Sequence, residues 1–297
     1  MSKVIQINDW KINFNPDQET LKEEYLNQAS AVLSAWSGYY PEEPTWVHEK
    51  FGVRALLVAV DGSIVRDYHT GLGFYPYKVD EQPMGAGILY RVDSAFRNVW
   101  DEYKLKLPEI KIVTSPHVKC TDDSVLFEQQ TLEEAKVSNN LVLVRAMARS
   151  SEYWDLQNRS VGTIQTTGDK SYGVAMGLWK EVFAEDSLDF SKAFCLRPKT
   201  GPGAWIWHPE RGVLETNGVK GLLTKDQVLR RLVVLGSMYQ QEYIEPMKTK
   251  EGLSKIYRLF FLYNIEKSEY ECVGGLSASR DNVKVQGAND AVLGVIN

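Results

Sequence analysis

The segment Tyr257-Arg-Leu-Phe-Phe-Leu262 sets the hardest condition on how this chain folds: one arginine alternates into a strand that is otherwise apolar. A buried guanidinium without an anion is costly, so Arg258 needs a carboxylate from the chain or a phosphate from a ligand. The segment alone leaves both open. A chain of 297 residues, 43% hydrophobic and 25% charged, is long enough to bury such a strand in one composite domain or two. The formal net charge is −5, with no basic stripe, which argues against a dedicated nucleic-acid binder. Cys120, Cys195 and Cys272 are far apart, and the histidines (His48, His69, His117, His208) are equally scattered. That pattern fits reduced structural thiols better than a disulfide framework or a zinc site. No run approaches the ~20 apolar residues of a membrane span. The start, Met1 to Asp9, carries acid and amide too early for a secretory signal. The chain reads as cytoplasmic, with no membrane partner.

Periodicity predicts an α/β first part, residues 1–150, and an α+β second part, residues 151–297. Leu21, Tyr25, Ala29, Val32 and Trp36 mark a helix, which Pro41 and Pro44 end. Arg54 to Asp61 reads as a strand, with Ser63 to Tyr68 completing a hairpin, and Gly85 to Tyr90 reads as a short strand. A helix follows with Phe96, Val99, Trp100 and Tyr103 on one face and Asp93 or Ser94 as cap. Ile110–Thr114 and Leu141–Met147 are expected to be buried strands flanking a helix at Glu133-Glu134. The polar stretch from Ser150 to Gly168 marks the boundary.

In the second part, Tyr172, Met176, Trp179 and Phe183 fall at helical spacing. Two strand-like runs, Ala193–Arg197 and Ala204–Trp207, enclose Pro198-Lys-Thr-Gly-Pro-Gly203. Thr224 and Gln227 form a capping box ahead of an apolar face of Val228, Leu232, Leu235 and Tyr239. Four strands are expected at the end: 241–245, 256–264, 269–276 and 291–296.

Several of these segments carry chemistry. Arg197 and Lys199 beside a glycine-bearing turn suit a polyphosphate, although alone the turn reads first as a hairpin with exposed cations. Gly168-Asp169-Lys170 puts a lysine at a helix mouth, where it can reach an anion or stay solvated. Gln241-Glu-Tyr-Ile-Glu-Pro246 offers the backbone of a short strand to a purine edge, or is an edge strand. The stretch from Arg280 to Asp290 holds hard oxygen ligands suited to Mg²⁺, and reads otherwise as a surface loop.

Taken in order, these elements resemble the ATP-grasp superfamily of ligases over roughly residues 50 to 297. The resemblance matches Asp169-Lys170 to the lysine that opens a helix, and Leu196 to Gly203 to the phosphate loop of the small lobe. It matches Gln241 to Ile244 to the adenine hinge, and the Arg258 strand with the Arg280 to Asp290 stretch to the catalytic sheet. It implies an ATP-grasp-like fold with a pre-domain at 1–150, a small lobe at about 185–245 and a C-terminal sheet at 246–297. Lys170, Arg197 and Lys199 are implied phosphate contacts. Gln241, Glu242, Tyr243 and Ile244 are implied to hold adenine, and Glu245 ribose. Arg258 and Arg280 are implied to stabilise the transferring phosphoryl group. Asp281, Asn282 and Asp290 are the implied Mg²⁺ ligands, since the superfamily's usual Glu-x-Asn ending is absent, and Arg197 stands where a lysine is usual.

The implied activity is ATP- and Mg²⁺-dependent activation of a carboxylate as an acyl phosphate, attacked by an amine or another nucleophile. The small-molecule carboxylate is expected near Gln82 to Gly87 and Arg145, Arg149 and Arg159. The alternatives are a non-catalytic nucleotide- or partner-binding protein of the same fold, or a virion or scaffold protein using its 8 Trp and 15 Tyr for assembly. A nucleotidylation motif at Val60-Asp61-Gly62 lacks the required preceding lysine.

Overall fold

The computed structural model describes residues 3–7, 10–37, 44–67, 71–81, 85–114, 122–145, 151–162, 173–174, 177–184, 188–199, 204–215, 224–281 and 291–297. The first part opens with β1 (Lys3–Ile7) and β2 (Trp10–Glu19), then α1 (Glu23–Ser37) and α2 (Trp46–Phe51). There follow β3 (Leu57–Asp67), β4 (Gly71–Glu81), α3 (Ala86–Val92), α4 (Ser94–Lys104) and β5 (Ile110–Thr114). A 3₁₀ turn at Asp122–Val125 precedes β6 (Glu128–Gln130), α5 (Leu132–Val137), β7 (Leu141–Arg145) and α6 (Ser151–Trp154). The second part holds β8 (Lys180–Phe183), β9 (Phe194–Pro198), β10 (Trp205–His208), β11 (Gly212–Glu215), α7 (Lys225–Leu235) and β12 (Ser237–Glu242). It ends with β13 (Ser254–Asn264), β14 (Glu269–Arg280) and β15 (Val292–Ile296).

The fold is α/β, with sheets in the orders β1-β2-β15-β14-β13-β3-β4, β11-β10-β9-β12-β8 and β6-β5-β7. The seven-stranded sheet pairs β13 with both β14 and β3, so strands from both sides of residue 150 share it. The expected division at 150 therefore runs through this sheet. The N-terminal strands β1 and β2, which sequence periodicity does not mark, extend it by a parallel pairing of β2 with β15.

β13 explains its own composition. Phe260 and Leu262 join one core with Leu89, Phe96 and Trp100 of α3 and α4. Leu259 and Phe261 point the other way, into a core with Tyr25, Ala29, Leu33 and Trp36 of α1. A central strand covered on both faces reads as a continuous apolar run. Fully burying each phenylalanine is worth about 2–3 kcal/mol against exposure. Smaller cores sit under α7 (Phe194, Leu196, Trp207, Val228, Leu232, Met238) and behind the three-stranded sheet (Val113, Val142, Val144, Tyr153).

Several expectations change. β3 is one strand of 11 residues, bulged between Asp61 and Gly62, and its hairpin partner is β4, not 63–68. Residues 86–90 are helical, not extended, because Asp122 Oδ2 accepts from the N–H groups of Gly85, Gly87 and Ile88 at 2.8, 2.7 and 3.2 Å and anchors the first turn of α3. A carboxylate 37 residues away in sequence supplies that anchor, so local periodicity could not show it. Trp179 precedes β8 and Phe183 ends it, so neither continues a helix; Tyr172 and Met176 lie outside the described residues. α7 stops at Leu235, where Gly236 at φ 77° turns the chain, and Tyr239 belongs to β12.

The opening condition is met from within. Arg258 Nε and Nη2 donate to Asp61 Oδ1 and Oδ2 at 2.7 and 2.8 Å, a two-pronged pair across β13 and β3. Nη2 also reaches Asp80 Oδ2 at 3.2 Å on β4. Lys78 Nζ completes the group, 3.3 Å from Asp61 Oδ2 and 2.9 Å from Asp80 Oδ2. The Asp61 side chain is 2% exposed and that of Arg258 16%. Burial opposes the Arg258 charge, but Asp61, Asp80 and Asp122 outweigh it and raise its affinity for the proton.

Two predictions follow from this geometry. A Cβ on Gly87 would lie 1.9 Å from the backbone oxygen of Asp122, which cannot swing aside. Gly87→Ala should therefore cost about 1–3 kcal/mol in urea unfolding, with loss of near-ultraviolet ellipticity around Trp100. For Asp80, burial opposes ionisation, yet Lys78 and Arg258 hold its carboxyl below the usual range. Its contribution is fully present above the unfolded value near ~3.9 and is lost as pH falls through the lower folded value. Asp80→Asn should lower stability at neutral pH and flatten the acid limb of a stability–pH curve. An unchanged limb would overturn the role given to Asp80.

Candidate functional site

Three of the residues singled out for nucleotide binding, Arg197, Gln241 and Glu242, lie on β9 and β12, which pair. The register sets Tyr239 opposite Arg197, Gln241 opposite Cys195 and Glu242 opposite Phe194. The expected phosphate contact thus faces Tyr239, two residues before the expected hinge begins. The Arg197 guanidinium lies 5.6 Å from the centroid of Trp179, which itself stacks on Tyr239 at 5.8 Å. That cation–π contact holds the arginine beside the hinge strand.

β4, the edge strand of the large sheet, closes the other side. Trp179 Nε1 donates to the carbonyl of Tyr77 and Gln241 Nε2 to the carbonyl of Pro76, each at 3.2 Å. The Tyr75 hydroxyl donates to the Glu242 carbonyl at 3.4 Å. Tyr77 shares a hydrogen bond with Ser63. The two sheets therefore meet through side chain–backbone bonds along one strand.

Two buried donors in this junction have no hydrogen-bond partner among the described residues: Arg197 Nε and the Tyr243 hydroxyl. A buried unsatisfied donor costs about 1–3 kcal/mol, so both favour an incoming acceptor. Burial pushes the Tyr77 phenol up to about 12, with Ser63 and Arg197 opposing. Burial, then Tyr77 and Glu245, also raise Tyr243. Cys195 is raised by burial against the pull of Arg197, which favours the thiol over the thiolate. The junction thus gathers protonated donors beside the Arg197 guanidinium, most of them already engaged by protein groups.

The other expected site residues are distributed as follows. Lys199 is ion-paired with Glu181, which also accepts from Ser237. The Tyr243 backbone bonds Ala193, Ile244 is half-buried, and Glu245 is exposed with Lys248 3.5 Å away. Arg258 has the carboxylate partners already described, so of the two readings open in the sequence the geometry supplies the ion pair. Arg280 ends β14 opposite Ser254, and the exposed Asp281 follows. Lys170, Asn282 and Asp290 lie outside the described residues. Among the described residues no group of three His, Cys, Asp or Glu is gathered that could hold a metal ion.

For the expected carboxylate contacts, Arg159 is corrected. Its guanidinium donates to the carbonyls of Ser138, Asn140 and Ala135 at 2.5, 3.2 and 2.6 Å and closes the end of α5. Arg145 is buried at the end of β7, while Gln82, Pro83, Met84 and Arg149 lie outside the described residues. Sequence reasoning missed Asp61, Lys78, Asp80, Tyr77 and Trp179. Asp61 gave a usable signal: like Arg258 it is a charge inside an apolar strand, and two such charges of opposite sign invite pairing.

The sequence matches no protein-family profile and no curated protein. No described helix is long and apolar enough to cross a membrane. In structure, the chain is similar to a glutathione synthetase-like effector from Globodera pallida in its apo form, with a TM-score of 0.50 and 10% identity. That likeness covers 99% of this chain and 92% of the effector. A putative γ-glutamylcysteine synthetase from Methylobacillus flagellatus aligns with a TM-score of 0.45 and 9% identity, over 89% of this chain and 83% of that one. At such identity the first likeness speaks to fold alone, and the fold it supports is α/β and ATP-grasp-like.

Proposed function

We propose that this chain is an ATP-dependent ligase that seats its nucleotide where β9 and β12 meet β4. The observation that carries the reading is the β9–β12 register, which sets Arg197 opposite Tyr239, two residues before Gln241, while two buried donors, Arg197 Nε and the Tyr243 hydroxyl, have no acceptor among the described residues. When bound, ATP supplies the phosphoryl group that activates a carboxylate for attack by an amine or another nucleophile. On the chain's side, Glu242, Tyr243 and Ile244 hold the base, Glu245 the ribose, and Arg197 with Lys170 the phosphates. Gln241 and Trp179 position the segment by their bonds to β4. Electrostatic positioning of this kind needs no side-chain nucleophile. The reading places the protein in the cytoplasm, with a small-molecule carboxylate and a nucleophile as its substrates.

A second reading, nucleotide binding without catalysis, is favoured by the state of two other cations: Arg258 is engaged by Asp61 and Asp80, and Lys199 by Glu181. Calorimetry with ATP, alone and with Mg²⁺, tests the shared part. Arg197→Ala should weaken binding about tenfold or more, about 1.4 kcal/mol, while the fold is kept. Tyr243→Phe should weaken it less. Wild-type protein that binds no ATP would overturn both readings. Release of ADP with a carboxylate–amine panel selects the ligase; binding without ADP release selects the second reading.

A further inference from the structure

Arg197 is held in a way that Arg258 and Lys199 are not. Those two face carboxylates, Asp61 with Asp80 for the arginine and Glu181 for the lysine. Among the described residues no carboxylate pairs with Arg197. What it meets is the indole of Trp179, 5.6 Å from the ring centroid, and its buried Nε donor is unmatched. An aromatic face holds a cation while leaving its N–H groups and its charge available, whereas a carboxylate would engage both.

The indole is itself fixed. Trp179 is buried, and its ring stacks on Tyr239, the residue opposite Arg197 in the β9–β12 register, at 5.8 Å. Its Nε1 donates to the Tyr77 carbonyl of β4 at 3.2 Å. The backbone of Gly173 packs against the benzene side of the ring, where a Cβ would stand 2.1 Å from Cε3. The Gly173 carbonyl also accepts from the N–H groups of Leu178 and Trp179 at 2.8 and 3.0 Å, so the same glycine closes the turn that delivers the tryptophan. Three separate segments thus grip the ring.

We propose that Trp179 is the positioning residue for Arg197: its indole face takes the place of a carboxylate, holds the guanidinium with its charge uncommitted, and makes position 197 specific for arginine over lysine. The inference rests on the nucleotide reading for the identity of the anion that Arg197 meets, and on the geometry alone for the hold on Arg197. A guanidinium stacks on a ring through its delocalised plane, while a lysine ammonium is a hydrated point charge on a flexible stem and gains less from the same face. This role is separate from the Nε1 bond to β4, because the face of the ring, not its N–H, acts on Arg197.

Calorimetry with ATP separates the two roles. Trp179→Leu should weaken ATP binding about three- to tenfold. Trp179→Phe keeps an aromatic face without the N–H and should recover most of that loss. Arg197→Lys should weaken binding nearly as much as Arg197→Ala. Trp179→Leu added to Arg197→Ala should cost little beyond Arg197→Ala alone, since contacting residues that act as a unit are not additive. Additive losses, or a Trp179→Phe protein as weak as Trp179→Leu, would overturn the proposal.

A nucleotide-free measurement decides the hold on Arg197 whether or not ATP binds. With isotopically labelled arginine, the side-chain resonances of Arg197 are identified by their disappearance in Arg197→Lys. In the wild type the indole ring current should displace them upfield, and in Trp179→Leu they should return to the range of the other arginines. Should Trp179→Leu not fold, Trp179→Phe replaces it, with a smaller displacement expected from the smaller ring. Arg197 resonances at ordinary positions in the wild type would overturn the proposal. Displaced resonances in a wild type that binds no ATP would support the hold on Arg197 and overturn the nucleotide reading alone.

Discussion

The pairing of Arg258 with Asp61 is the interaction on which the rest of the architecture depends. It lets a central strand covered on both faces carry a charge, and it ties that strand to one from the first part of the sequence. Its register leaves β4 at the sheet edge, with Lys78 and Asp80 beside the pair and Tyr75 to Tyr77 free to meet the smaller sheet. Breaking such a pair by removing one partner leaves an uncompensated charge, typically a loss of about 3–5 kcal/mol, whereas replacing all its members by apolar groups need not destabilise. The group therefore specifies the arrangement of three strands more than it adds net stability.

β4 has two occupations. One stretch of it meets the small sheet through carbonyls that accept from Trp179 and Gln241. The next carries the charged group on the large sheet. An edge strand normally exposes unpaired backbone groups to other chains, and here side chains of the second sheet cover part of that edge. The protein thereby turns an association hazard into the joint between its sheets.

Much of the regular structure was legible in the sequence because it rests on local signals. The helix from Tyr25 to Trp36, the Asp93 cap, the Thr224–Gln227 capping box and the final apolar strands all appear near where periodicity puts them. The failures share one cause, a distant partner. The α3 segment looked extended until Asp122 supplied its first-turn acceptor. Arg159 looked available until three carbonyls around α5 took its donors. Of the site, the sequence order revealed Arg197 and the hinge as candidates, but their adjacency is a product of strand register. The partner of Arg258 was undecidable from its own segment, since a phosphate and an aspartate satisfy a guanidinium alike.

The parallel pairing of β15 with β2 has a consequence for how the chain is made. Residues 292–296 lie between β14 and β2, hydrogen-bonded to strands that include residues 13–19. A ribosome releases the N-terminal hairpin long before that filler strand exists. Until then β2 has one neighbour, β1, and an open flank of backbone donors and acceptors. Vectorial synthesis thus leaves the large sheet unfinished until residues 292–296 are made, and its closure waits on a contact of very high sequence separation, the kind that makes folding slow.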